Sequence, residues 1–113
     1  MTRRQISPPR AVVDAARVLG MQIRESRVRK RLTAAELAIR SMVSPRTVSL
    51  IERGDPSVSI GNVLTVAINA GVPLFGAETP QELHMLRRIG EDKQALMPTR
   101  VMPVQHKESS RAF

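Results

Sequence analysis

The chain contains no cysteine, no tryptophan and no tyrosine, and only two phenylalanines and two histidines. Without cysteine, disulfides, thiol catalysis and cysteine-ligated zinc are excluded, and a reducing compartment is compatible with the composition. Single-stranded RNA binding wants aromatic platforms on which bases stack, and Phe75 and Phe113 stand too far apart to form one. His84 and His106 have no second ligand at metal-binding spacing. No glycine-rich phosphate loop follows a strand pattern, and no nucleophile elbow is present. No catalytic residue, metal site or cofactor is therefore expected. Long apolar runs are also missing: none approaches the roughly 18 residues of a membrane span, and residues 1–5 are polar where a signal peptide would turn apolar. The expectation is a non-enzymatic protein of the cytoplasm or nucleoid that makes no membrane contact.

What the chain does have is positive charge. Eighteen Lys and Arg against ten acids leave +8 over 113 residues, with a pI near 11.6. A chain this short makes one domain at most. Nine bases and two acids fall within residues 1–32, so +7 of the +8 lies in that part. Such an imbalance favours a polyanionic partner, with nucleic acid the leading one. The densest run is Arg27 to Arg31. Arg29 and Arg31 there are either solvated charges placed favourably at a helix C-terminus or contacts to phosphate.

The stretch from Leu32 to Gly54 organises the rest. Thr33 with Glu36 three residues on is a capping box, which predicts a short helix from Ala34. Ser44 followed by Pro45 repeats the start signal, because serine caps and proline is tolerated where no amide partner exists. A second helix is therefore predicted from Pro45. Leu37, Ala38, Val43, Val48 and Ile51 recur at spacings that bury one seam. Two short helices around a tight bend make a helix-turn-helix, whose second helix is free to enter a DNA groove. On that helix Arg46 is the best candidate for direct readout, since a guanidinium can bond both acceptors of guanine; the alternative is a phosphate contact. Thr47 and Ser49 suit bases or backbone, Leu50 either packs on a thymine methyl or continues the core, and Arg53 suits phosphate. Gly54 supplies the left-handed residue that stops the helix.

Leu19 to Arg27, Leu32, Thr33, Glu36, Leu37, Ala38, Val43, Ser44, Thr47 to Ser49 and Ile51 to Gly54 together resemble the Xre-type (Cro/phage-repressor) helix-turn-helix family over roughly residues 17–74. The resemblance implies that Pro45, Arg46, Ser49 and Leu50 face bases, that Ser44 and Thr47 lie near the DNA backbone, and that an Arg27–Glu52 ion pair fastens the first helix to the recognition helix. The chain departs from the family at Ala34, where a phosphate-reaching glutamine is common. It departs again at Met42, where glycine usually occupies the turn; Met42 must accept modest strain or re-form that turn.

Around this centre, residues 1–8 read as a basic arm with Arg3 and Arg4, either a disordered terminus or a minor-groove arm. Val12, Ala16, Leu19, Ile23 and Ser26 predict a long first helix between Pro9 and Arg31, in which Gly20 marks a break or a close packing contact. Asp55 to Ser59 is a loop. Ser59 caps a further helix whose Ile60, Val63, Leu64, Ala67, Ile68 and Ala70 close the core before Gly71 ends it. Pro73 to Gly76 leads to a fifth short element, with Phe75 either core or dimer surface. Thr79 and Glu82 form another capping box, predicting a last helix over residues 80 to about 95. Leu83, Leu86 and Ile89 give that helix an apolar stripe, packed on the domain or offered to a partner. Residues 97–113 are polar, proline-interrupted and pattern-free, hence a flexible tail, with strand addition by Thr99 to Val104 as the alternative.

The expected fold is all-α: a five-helix Xre/lambda-repressor-like DNA-binding domain over residues 9–78, an additional C-terminal helix at 79–96 for dimer or partner contact, and the arm and tail. One recognition helix reads only a few base pairs, so a homodimer on a palindromic double-stranded DNA operator is expected. The run Gly54 to Gly61, the helix ending Ala70, Gly71, Val72 and the proline-containing tail are also similar to HipB-like antitoxins. That weaker resemblance implies an autoregulating repressor partnered by a HipA-type kinase toxin. A stand-alone repressor, or a protein-interaction module that has lost DNA binding, are the alternatives.

Overall fold

A computed structural model describes residues 7–104; the expected arm residues Arg3 and Arg4, and His106 and Phe113, lie outside them. The described chain is all-helical: α1 Arg10–Arg29, α2 Ala34–Ser41, α3 Pro45–Glu52, α4 Ile60–Ala70 and α5 Pro80–Ala95. Helices α2 and α3 start where the capping signals put them. Thr33 Oγ1 accepts from Glu36 N while Glu36 Oε1 accepts from Thr33 N, the complete capping box. Ser44 Oγ accepts from Thr47 N. At α5 only half of the box forms as expected: Thr79 Oγ1 accepts from Glu82 N, but the Glu82 carboxylate reaches the amide of Glu78 rather than that of Thr79.

The ends of α1 to α4 share one construction. A residue in the left-handed region follows each helix, at Arg31 (φ 61°), Met42 (φ 56°), Gly54 (φ 82°) and Gly71 (φ 88°). The next amide in each case, from Leu32, Val43, Asp55 and Val72, returns to the carbonyl five residues earlier. This is the Schellman closure, and it satisfies carbonyls that the helix leaves orphaned. Met42 therefore keeps the turn that glycine usually makes and carries the strain, with its side chain 90% exposed.

Helices α1 to α4 surround a core of Ile23, Leu37, Ala38, Val48, Ile51, Val66, Ala67, Ala70 and Val72. α1 runs through Gly20 without a break, because that glycine is where α1 and α3 touch. A Cβ there would collide with the Ile51 carbonyl oxygen and come within 2.7 Å of that of Glu52. Two buried polar groups are satisfied inside this body: Ser26 Oγ donates to Ala70 O at 2.6 Å, and Asn69 Nδ2 donates to Arg40 O and Ser41 Oγ.

Several expected core positions fall elsewhere. Ile60 and Ile68 are 75% and 46% exposed, while Val66, absent from the expected set, is fully buried. α4 is apolar over most of its surface, so composition alone did not reveal which side turns inward. Val12 is exposed and Val43 half-buried. The short element after Pro73 is a turn, not a helix. Ala77 N donates to Leu74 O at 2.9 Å, and Phe75 and Gly76 both take positive φ. Phe75 is accordingly outside the core.

Candidate nucleic-acid interface

α3 has two sides. Val48 and Ile51 are buried against the core, while Ser44, Pro45, Arg46, Ser49 and Arg53 are exposed and Thr47 and Leu50 half-buried. Arg46, Ser49, Leu50 and Arg53 stand at steps of three, four and seven residues, so they share one outward strip. Pro45 at the first helical position and the Ser44 cap fix where this strip begins. The two hydroxyls of Ser44 and Thr47 lie 3.0 Å apart at the same end.

The strip is held in place from behind. Arg27 on α1 donates through Nε to Glu52 Oε2 at 2.7 Å and through Nη2 to Glu52 Oε1 at 3.0 Å. Its third donor, Nη1, reaches Leu32 O at 2.9 Å. The fork thus ties α1, the α1–α2 connection and the end of α3 into one unit. Both side chains are nearly buried, 13% and 9% exposed. Bidentate, desolvated geometry of this kind positions a helix more rigidly than a surface pair would. The hydrogen bond to Glu52 holds the Arg27 guanidinium above its ordinary value.

At the far end of the strip, Gly54 is required twice over. Its φ is left-handed, and a Cβ would come within 2.7 Å of Arg17 Cα on α1. Sequence reasoning missed Asp55. Its carboxylate accepts from Ser57 N at 2.8 Å and Ser57 Oγ at 2.6 Å. Those bonds hold it below its ordinary value, and the nearby charges of Arg53 and Arg46 act in the same direction. One negative charge therefore sits at the margin of a positive strip. The Asp-x-Ser spacing, which favours a side chain bonding its own backbone two residues on, was the available signal.

The remaining candidates are scattered. Arg29 makes an exposed 3.6 Å pair with Glu25 on its own helix, and Arg31 is an exposed left-handed residue. Phe75, Leu83 and Leu86 lie away from α3, around the turn before α5 and on α5 itself. His84 shares a hydrogen bond with Arg87, and among the described residues no cluster of His, Asp or Glu could hold a metal. No helix among them is long and apolar enough to cross a membrane.

Two short helices packed at a tight turn, the second presenting a polar strip outward, define a helix-turn-helix fold. Residues 18–73 match the family described as a helix-turn-helix domain, and over that span the chain belongs to this family, in keeping with an Xre-type domain. No curated relative matches the chain.

Proposed function

We propose that this protein is a sequence-specific double-stranded DNA-binding transcriptional regulator, a repressor that works as a homodimer on a palindromic operator in the cytoplasm. The observation that carries the reading is the outward strip of α3, with Arg46, Ser49 and Arg53 exposed opposite the buried Val48 and Ile51. Ser44, Pro45, Arg46, Thr47, Ser49, Leu50 and Arg53 are its DNA-facing residues, with Arg46 reading a base and Arg53 a phosphate. The left-handed Met42 favours DNA binding over a domain that has lost it, because the bend between α2 and α3 is kept despite the missing glycine. No catalytic role is assigned. Autoregulation with a HipA-type kinase toxin is a finer version of the same reading, supported by the resemblance of the 54–61 loop and the tail; a kinase-like neighbouring reading frame is its test, and its absence favours a stand-alone repressor.

The experiment is a gel-shift titration with the DNA upstream of the gene at two salt concentrations. A DNA reader loses affinity steeply as salt rises through counterion release, whereas an apolar protein contact does not. Arg46→Ala should relax preference at one base pair, at a cost of about 1–3 kcal/mol, while Arg53→Ala weakens all sequences alike. Indifference to every duplex at low salt overturns the reading.

A further inference from the structure

α5 is the one helix among the described residues with no buried side chain. Its apolar residues nevertheless share a side. Met85, Leu86 and Ile89 are between 45% and 58% exposed and, at 3.6 residues per turn, fall in one stripe, while Leu96 and Met97, just past the end of the helix at Ala95, are exposed as well. Two opposite charges stand within that stripe. Glu82 and Lys93 are eleven residues apart, about three turns, and so lie on nearly the same line along the helix. In a parallel pair of such helices like charges would meet. In an antiparallel pair each charge meets its opposite.

We propose that two copies of this chain pair through α5, antiparallel about a two-fold axis passing midway between Arg87 and Arg88. Glu82 then faces Lys93 of the partner subunit, and Leu86 faces Ile89 of the partner subunit. The proposal deepens the homodimer reading above and rests on it. Both facing pairs are centred on the same point, so one axis satisfies the charges and the apolar residues together. The same register sets Met85 against Gly90 of the partner subunit. Nothing in the chain's own fold lies within 4 Å of a Cβ at Gly90, which leaves open space for the facing methionine. It also brings Leu96 of the partner subunit toward a depression of about 270 Å³ formed by Phe75, Gly76, Ala77, Glu82, Met85 and Leu86. Phe75 is 81% exposed at φ 55°, a conformation an aromatic residue rarely adopts, and it rims this depression.

Glu82 uses Oε1 on the Glu78 amide, which leaves Oε2 for an ammonium group. Arg87, next to the axis, turns to the solvated side, where it bonds Glu91 at 2.9 Å. Covering the stripe and Phe75 on both copies removes exposed apolar surface from water, the kind of surface that a stable interface of ~800 Å² per partner buries.

The test is sedimentation equilibrium of the full chain without DNA. The wild type should be a dimer, and Leu86→Asp a monomer with unchanged helix content. Lys93→Glu should weaken association by about tenfold or more, and Glu82→Lys likewise, because like charges then face each other. An equal mixture of the two charge variants should regain wild-type association, since every facing pair is again opposite. A wild-type monomer, a dimer indifferent to Leu86→Asp and Lys93→Glu, or a mixture no tighter than its components each overturns the proposal. Duplex binding is measured separately. A monomer that still binds DNA with steep salt dependence sinks the pairing alone, and a dimer that ignores every duplex sinks the DNA reading alone.

Discussion

Helices α2 and α5 begin with the same device, a threonine whose hydroxyl accepts from the amide of a glutamate three residues on. They then diverge. α2 buries Leu37 and Ala38, and its end is closed by a left-handed residue and a returning amide. α5 has no fully buried residue, with Leu83 only half-buried, and its last amides, from Leu96 and Met97, return only three residues, to Lys93 and Gln94. A capping signal therefore specifies where a helix starts, but not whether it joins a core. That depends on apolar side chains meeting a second surface, which is also where most helical stability in proteins comes from.

The largest effect expected from this contrast is in core truncation. Leu37→Ala should destabilise the chain by about 3 kcal/mol in urea unfolding, through lost burial and the cavity left behind. Leu86→Ala, measured at a dilution where copies are apart, should change it by less than about 0.5 kcal/mol. Equal costs at the two positions would place α5 inside the same cooperative unit as α1 to α4.

Gly20→Ala comes next. Helix propensity alone would favour alanine by about 1 kcal/mol. The Cβ meets backbone carbonyls of α3, which cannot swing aside, so a net loss of about 1–3 kcal/mol is expected. A stabilised variant would mean that α1 and α3 can separate slightly at no cost, and hence that the recognition helix is less firmly seated than its ion pair suggests.

Met42→Gly should work in the other direction. Removing the side chain relieves a left-handed backbone, less the added entropy of the unfolded chain, for a gain of about 0.5–1 kcal/mol in thermal unfolding. DNA affinity should hold, because the turn keeps its shape.

The smallest effect is in acid. Hydrogen bonds from the Thr33 amide and hydroxyl hold the Glu36 carboxyl below its ordinary value. A lowered carboxylate contributes stability that is fully present above its unfolded pKa and is lost as pH falls through the folded one. Wild type and Glu36→Gln should therefore differ in urea midpoint at neutral pH and converge on acidification. A gap that persists in acid would show that the capping box does not depend on the charge.

Local chemistry was legible wherever one or two neighbouring residues decide it. Thr33, Ser44, Ser59 and Thr79 announced four helix starts, and Gly54 and Gly71 two helix ends. The Arg27–Glu52 fork, by contrast, entered only through family resemblance, since nothing in a spacing of 25 residues implies contact. Asp55 was missed because its placement near Arg46 and Arg53 depends on how the loop folds back. Val66 was missed because α4 offers apolar residues on nearly all sides.

The amino-acid order by itself determined the all-helical class, the positions of the caps and the sidedness of α3, because amides lacking partners and apolar periodicity act over a few residues. Tertiary structure alone decided which side of α4 faces inward, that Gly20 is a contact rather than a break, and that the chain's own fold leaves the apolar stripe of α5 uncovered. Those outcomes depend on which surfaces come within van der Waals reach once the chain has closed. That distance is set by the arrangement of all the helices together and is encoded at no single position.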